Sequence, residues 1–450
     1  MAVTSPSMTK LDFLRLMMLS REGDRREAIL LRQSKGWFHV GGTGHEALGA
    51  LALHLDGDDY LYPYYRDRAI MLARGMSNYS LALAYFAKRE SSSGGRQMPG
   101  HYSSRELNVM SVCTPTGGGL IPAAGTAWGF KLQNKDNVVL ATVGDAAMRQ
   151  GEFYEAWAFA VQENLPLILA IEDNKYGIST PTDKYMALNL EGVIGQEKVV
   201  KIDARQFDNV YKIGGEIIDK ARNGGGPTLL WADLDRLSSH TSSDDHRVYR
   251  PQEEIDAMFE RDPIKLLADQ LIASGDLTRE RWEAMQEEIV VEVRDDYDRA
   301  EQAEDPRREE LFKDCWGEPV AATRPPIESG SVTMVESINK TFEKALENDP
   351  SVIFFGEDLE DPTGGVCGLT KGLSDKFPNQ VWNSPLAEAT IIGVGAGLCA
   401  MGMKPVFELQ FIDFICPAWN QIVTNMGTTR WRSFGGWHTN MVVYAPYGAY

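Results

Sequence analysis

The chain has 450 residues, too many for one ordinary core, so two domains are expected. Its 43% hydrophobic and 24% charged residues are those of a globular protein, and no apolar run is long enough to span a bilayer. The net charge of −19 disfavours nucleic acid, whose phosphates need clustered Lys and Arg, and suits a basic protein partner. Residues Met1 to Lys10 lack both the apolar core of a signal peptide and the Arg-rich amphipathic pattern of a transit peptide, so a cytoplasmic location is expected. Cys113, Cys315, Cys367, Cys399 and Cys416 are odd in number and have no CxxC spacing, which argues for reduced thiols.

Residues 10 to 55 read as helical, and βαβ units follow to about residue 235. Pro122 to Gly129 is a helix rich in small residues, a composition that suits close helix packing. Asn137 to Val143 is a short apolar run that predicts a buried strand and ends in Gly144-Asp145. Gly151 to Glu163 carries apolar residues at helical spacing, and Leu165 to Ile171 is a second apolar run that leads into Glu172-Asp173-Asn174. A strand, a crossover helix and a second strand bring both strand C-termini to one edge of a parallel sheet, where open α/β sheets bind ligands. A carboxylate at Asp145 and an amide oxygen at Asn174 suit Mg²⁺, which takes few protein ligands and fills its octahedron with water and phosphate oxygens.

Thr228 to Trp231 predicts another strand, and Pro251 to Ala303 is helix-rich and strongly charged. Glu301 to Ser331, with its Pro, Arg and Glu runs, reads as a linker. A second α/β pattern follows: helix Val332–Leu346, strands Val352–Phe355 and Val381–Trp382, helix Glu388–Ala400, and strands Pro405–Leu409 and Asn440–Tyr444. Gly393-Val-Gly-Ala-Gly397 lacks the GxGxxG spacing and lies inside a predicted helix, which rejects a dinucleotide fingerprint.

Gly144-Asp145, the interval to Asn174, and Lys175-Tyr176-Gly177-Ile178-Ser179 resemble the thiamine diphosphate (TPP) motif of 2-oxo acid dehydrogenase E1 components. The resemblance covers nearly the whole chain. Residues 1–305 look like an E1 α subunit that binds the diphosphate and Mg²⁺, 306–331 like a linker, and 332–450 like the beginning of an E1 β subunit that binds the pyrimidine. It implies the TPP-binding α/β fold, two parallel-sheet domains with helices on both faces. Gly95 to Tyr102 and His240 to Asp245 look most like the branched-chain (2-oxoisovalerate) enzymes. Alternatives are pyruvate or acetoin dehydrogenase E1, or a transketolase-like TPP enzyme; the His240-Thr-Ser-Ser-Asp-Asp245 loop and the linker-separated order favour E1.

The resemblance assigns roles. Asp145, Asn174 and the backbone carbonyl of Tyr176 hold the Mg²⁺; Tyr65, Arg66, Arg236 and His240 serve the diphosphate, with His240 also a catalytic candidate. Gly117 approaches the cofactor through its backbone, and Ala146, Ala147 and Leu386 are further contacts. Phe414 matches an aromatic position beside the aminopyrimidine. Glu388, by position alone a first-turn helix Glu, matches the activating Glu that bonds N1′ of the aminopyrimidine. The implied reaction is oxidative decarboxylation of a 2-oxo acid and acyl transfer to the lipoyl groups of an E2 acyltransferase, by a homodimer that mimics an α₂β₂ tetramer. The sequence departs from the pattern at Ala146, where relatives carry Gly, at Asp173, where they carry Asn, and at Gly117-Gly-Gly119, where they supply an apolar cofactor contact. E1 β subunits continue past the position of Tyr450 with a His that assists acyl transfer and a dimerising domain, so the biological polypeptide is expected to continue too.

Overall fold

The computed structural model describes residues 8–184, 186, 192, 195–317 and 331–447. The latter part of the expected linker, residues 318–330, lies outside the described residues. Helix α1 (Lys10–Arg32) starts at a capping box in which the Thr9 hydroxyl accepts from the Asp12 amide (3.1 Å) and the Asp12 carboxylate accepts from the Thr9 amide (3.1 Å). The expected helicity over 10 to 55 is not continuous. Ser34 takes a left-handed φ of 61° and the Gly41–Gly44 turn intervenes before a 3₁₀ helix, Glu46–His54. That turn depends on glycine, because a Cβ on Gly42 would lie 2.2 Å from the Arg66 carbonyl oxygen.

Further along come β1 (Tyr60–Tyr62), α2 (Arg68–Arg74), α3 (Asn78–Tyr85), α4 (Leu120–Leu132), β2 (Val139–Gly144), α5 (Gly151–Gln162) and β3 (Leu167–Asp173). A short antiparallel pair, β4 (Tyr176–Gly177) and β5 (Thr180–Pro181), precedes β6 (Val199–Asp203), α6 (Phe207–Arg222) and β7 (Thr228–Asp233). The strands pair in parallel in the order β1-β2-β3-β7-β6. β2 and β3 are buried nearly throughout, as continuous apolar runs covered on both faces must be.

Helices α7 (Gln252–Glu260), α8 (Pro263–Ser274) and α9 (Arg279–Glu301) fill the expected helix-rich stretch. The start of the expected linker is fastened to both halves. Arg89 makes a two-pronged bond to the Glu310 carboxylate (2.8 and 2.8 Å), and the Trp431 indole donates to the Leu311 carbonyl (3.1 Å). The second half brings α10 (Met334–Asn348), β8 (Val352–Gly356), α11 (Leu373–Lys376), β9 (Val381–Asn383), α12 (Glu388–Ala400), β10 (Lys404–Glu408) and β11 (Val442–Tyr444), in a parallel sheet of order β11-β10-β8-β9.

The two sheets share one core. Trp128 of α4 stands edge-on to Phe159 (5.6 Å) and tilted against Phe355 of β8 (5.1 Å). At its centre α4 and α12 approach with almost no side chain between them. A Cβ on Gly125 would lie 2.3 Å from the Val394 carbonyl oxygen, and one on Gly397 would lie 2.1 Å from that of Pro122. The Thr126 hydroxyl donates to the Gly397 carbonyl (3.0 Å) across the gap. The small residues of both helices are thus explained by packing. Gly397→Leu should cost about 3 kcal/mol by forcing the helices apart. Urea unfolding checks this, and an unchanged midpoint would show that the interface yields freely.

Candidate functional site

The C-terminal ends of β1, β2 and β3 open onto a cavity of about 390 Å³. Pocket size there is that of a cofactor site. Asp145 stands at the end of β2, 1% exposed, with the Thr182 hydroxyl donating to its Oδ2. Burial lifts its carboxyl from the ordinary 3.8 to about 6. Asn174 follows β3, with its Oδ1 accepting from the Tyr176 amide (3.2 Å). The intervening Lys175 turns at φ 69° and sends its ammonium to Asp173 (2.6 Å) and Asp233 (2.8 Å), away from the cavity. Asp173 also accepts from the Trp231 indole (2.8 Å), which accounts for a carboxylate there. The Tyr176 side chain is committed elsewhere, its hydroxyl on Glu254 (3.0 Å) and its ring under Arg250 (4.1 Å), which leaves its backbone for the cavity.

This donor set is one carboxylate with neutral oxygens. Among the described residues no three His, Cys, Asp or Glu side chains gather as a metal cluster. A hard cation held by few protein oxygens and completed by phosphate and water fits it, and the buried Asp145 carboxylate is the charge such a cation would neutralise.

Opposite lies a positive wall. Arg66 is 2% exposed and gives its guanidinium to the Gly41 carbonyl (2.6 Å), the His240 carbonyl (3.0 Å) and His240 Nδ1 (2.9 Å). His240 Nδ1 therefore accepts, and burial beside Arg66 and Arg236 holds the imidazole at about 4, neutral at pH 7. Its position is fixed by Asp244, which accepts from the His240 amide (2.7 Å). Tyr65 packs its ring against the Arg66 guanidinium (5.1 Å). Arg236 is fully buried behind this wall, bonded to the Ile178 carbonyl (2.9 Å) and the Tyr249 hydroxyl (2.6 Å). Burial, then Arg66, pulls it down to about 10. Neither Arg66 nor Arg236 has a carboxylate within salt-bridge distance among the described residues; Arg66 lines the cavity, while Arg236, behind it, reaches Asp244 only through the Tyr249 hydroxyl. Such a wall suits an anionic ligand.

Of the residues predicted from sequence, Tyr65, Arg66, Gly117, Asp145, Ala146, Ala147, Asn174, Tyr176 and His240 line this one cavity. Arg236 stands behind it, while Leu386, Glu388 and Phe414 of the second half do not line it. Leu386 is 86% exposed and Phe414 42% exposed. The sequence reading passed over a buried pair beneath the cavity, His45 Nδ1 against Glu172 Oε2 at 2.5 Å. Burial, then the neighbouring Asp67, pushes the Glu172 carboxyl well up. It also passed over acids around Glu388. Glu155 accepts from the Thr390 amide (3.0 Å) and hydroxyl (2.8 Å), and both Glu155 and Glu357 are raised by burial and, more weakly, by Glu388. An acid inside an apolar strand flank, as at Glu172 and Glu408, was the available signal.

Residues 14–309 match the dehydrogenase E1 component family, and residues 330–449 match the transketolase pyrimidine-binding domain. The 2-oxoisovalerate dehydrogenase subunit alpha of Bacillus subtilis is 36% identical over 299 residues, 65% of this chain and 90% of that protein. The pyruvate dehydrogenase E1 component subunit alpha of Bacillus cereus is 30% identical over 301 residues (65% and 78%), and that of Acholeplasma laidlawii 27% over 301 (66% and 85%). An anion-seeking cavity at the edge of one parallel sheet, joined to a pyrimidine-binding sheet, defines a thiamine diphosphate enzyme. The chain belongs to the dehydrogenase E1 component family, with α-like and β-like parts in one polypeptide.

Glu408, at the end of β10 and fully buried, has its carboxyl raised by burial from the ordinary 4.5 to about 7. The folded chain therefore holds a proton that the unfolded chain has released between these values, so this residue's contribution to stability is present at low pH and lost as pH rises through about 4.5 to 7. Glu408→Gln should gain on the wild type, on the order of 2 kcal/mol, between about pH 5 and pH 8. Thermal melts of the two proteins across that range test it; a constant difference would place the titration elsewhere.

Proposed function

We propose that this chain is a fused E1 component that catalyses TPP- and Mg²⁺-dependent oxidative decarboxylation of a branched-chain 2-oxo acid and passes the acyl group to E2 lipoyl groups. The observation that carries the reading is Arg66, without an acid and backed by Arg236, on the same cavity as the buried carboxylate of Asp145. A diphosphate bridged to a divalent cation satisfies both walls at once. Asp145, Asn174 and the Tyr176 carbonyl hold the Mg²⁺. Arg66 supplies charge to the diphosphate, and neutral His240 supplies a hydrogen bond that does not add to the positive wall. TPP, when bound, supplies a thiazolium ring that accepts the electron pair released with CO₂. Glu388 holds the proton at N1′ of the aminopyrimidine, and Leu386 and Phe414 flank that ring. Residues 1–305 act as the diphosphate-binding domain, 306–331 as the link and 332–450 as the pyrimidine-binding domain.

In this assignment one chain does not build a whole site, since Glu388, Leu386 and Phe414 lie off their own cavity and two of them are largely exposed. The second half of another copy completes it, which makes a homodimer the smallest active unit. Mixing inactive Asp145→Ala and Glu388→Gln chains through dissociation and reassociation should restore about a quarter of wild-type decarboxylase activity, because half the dimers are mixed and each has one intact site. No recovery on mixing would put the site within one chain. Asp145→Ala alone should abolish TPP binding in calorimetry.

The first relative named above is a 2-oxoisovalerate enzyme and the others act on pyruvate. With a dye acceptor, 2-oxoisovalerate should be preferred over pyruvate in kcat/KM by about tenfold or more, the discrimination that one or two extra methyl groups permit in an apolar pocket. A preference for pyruvate would move the assignment to the pyruvate enzymes.

A further inference from the structure

Gly117 and Gly119, with Gly118 between them, form the stretch of cavity wall that meets the N-terminus of α4, and they have no side chains with which to fix themselves. Behind Gly119, between Ser111, Asn425 and Arg432, lies a small void of about 20 Å³, so packing is incomplete at that point of the wall. Local backbone bonds, the Gly118 amide on the Pro115 carbonyl (3.1 Å) and the Leu120 amide on the Gly117 carbonyl (3.0 Å), shape the turn, and the Gly118 carbonyl is gripped by the other half of the chain. Asn425 Nδ2 donates to the Gly118 carbonyl at 2.7 Å, and Gln421 Nε2 donates to the same oxygen at 3.1 Å.

These donors are themselves tightly oriented. Gln421 and Asn425 are four residues apart and meet each other, Asn425 Nδ2 on Gln421 Oε1 at 2.7 Å. The turn between them is a π-helix, Ile422–Met426, closed by the Gly427 amide on the Ile422 carbonyl (2.7 Å). Gln421 Nε2 is shared with Glu152 Oε1 of α5 (2.8 Å), which also accepts from Asn420 (2.7 Å). Arg432 gives Nη2 to Asn425 Oδ1 (3.0 Å) and Nε to Ser111 Oγ (3.2 Å), a residue of the same cavity wall. The arginine thereby settles which end of the Asn425 amide faces Gly118. All four side chains, Glu152, Gln421, Asn425 and Arg432, are buried.

We propose that Gln421 and Asn425, oriented by Glu152 and Arg432, are positioning residues that set the glycine wall of the cofactor cavity, so that docking of the second half shapes the non-phosphate end of the site in its own chain. The proposal rests on the reading of this cavity as a TPP site. Beside the local backbone bonds, the Gly118 carbonyl is anchored across the domain boundary by two hydrogen bonds to its oxygen, and the phosphate end, at Arg66 and His240, makes none of these contacts.

Asn425→Asp keeps the shape and the acceptor for Arg432 but replaces the donor facing Gly118 by an oxygen. In the full, ligand-free chain, amide hydrogen exchange in residues 114–120 should quicken by roughly tenfold or more while β2 and β3 exchange as in the wild type. TPP binding should weaken about tenfold and inorganic diphosphate binding should not change. Unchanged exchange in 114–120, or equal weakening of TPP and diphosphate, overturns the proposal. A wild-type chain that binds no TPP would defeat the cofactor reading, while the exchange result would still decide the positioning role. Should Asn425→Asp fail to fold, Gln421→Met, which keeps the volume and removes one donor, is carried through the same two measurements.

Discussion

The contact between α4 and α12 is the constraint from which the rest of the arrangement follows. Helix axes can come this close only where neither carries a side chain, and Gly125, Gly393 and Gly397 provide that. α4 begins at the glycine wall of the cavity and α12 begins at Glu388. Fixing the pair therefore fixes the cavity wall and the proposed proton-holding Glu388 in one operation. The Tyr62 hydroxyl meets Thr126 (2.6 Å) as Thr126 reaches Gly397, which ties the sheet edge at β1 to the same junction. Such a joint has little freedom to slide, because a shift would drive backbone into backbone rather than one flexible side chain past another.

Electrostatics divides the two halves of the site. At the Arg66 wall of the cavity the surplus is positive, with Arg66 and Arg236 buried and His240 kept neutral first by burial and then by these arginines. Around Glu388 the surplus is negative, with Glu155, Glu357 and Glu408 all raised by burial. A ligand with an anionic end and a proton-accepting, cationic end is complementary to such a division. Neither surplus is a good arrangement for an isolated fold, since buried charge without a partner costs several kcal/mol. Retaining both makes sense where ligand binding and association supply the missing partners.

The fold was largely legible because its central strands are apolar runs with no alternation. Only a sheet covered on both faces asks for that pattern, and strand ends came within two residues of their places at β2, β3 and β7. The helical reading of residues 10 to 55 failed at Gly41–Gly44, where the turn answers to a distant carbonyl, that of Arg66, which composition alone does not reveal. The contacts made by the first residues of the expected linker were not legible for a similar reason. They find specific partners, Glu310 on Arg89 and the Leu311 carbonyl on Trp431. Long-range pairing of this kind leaves no periodic trace.

At the site, the motif residues Asp145 and Asn174 were recognisable because each ends a strand, and strand ends converge in a parallel sheet whatever the intervening chain does. The partners of those residues were not. Thr182, which bonds Asp145, and Gln421 and Asn425, which bond Gly118, are ordinary polar residues on a loop and a helix, and only contact distinguishes them. The triple-glycine segment illustrates the point most clearly. Read along the chain, it is a departure that removes an apolar contact to the cofactor; seen in the fold, it exposes a carbonyl oxygen that two amides from the other half can grip. Absence of side chains thus adds domain docking to the local backbone bonds that set the cavity wall, which couples this part of the site to the junction of α4 with α12 that holds the halves together.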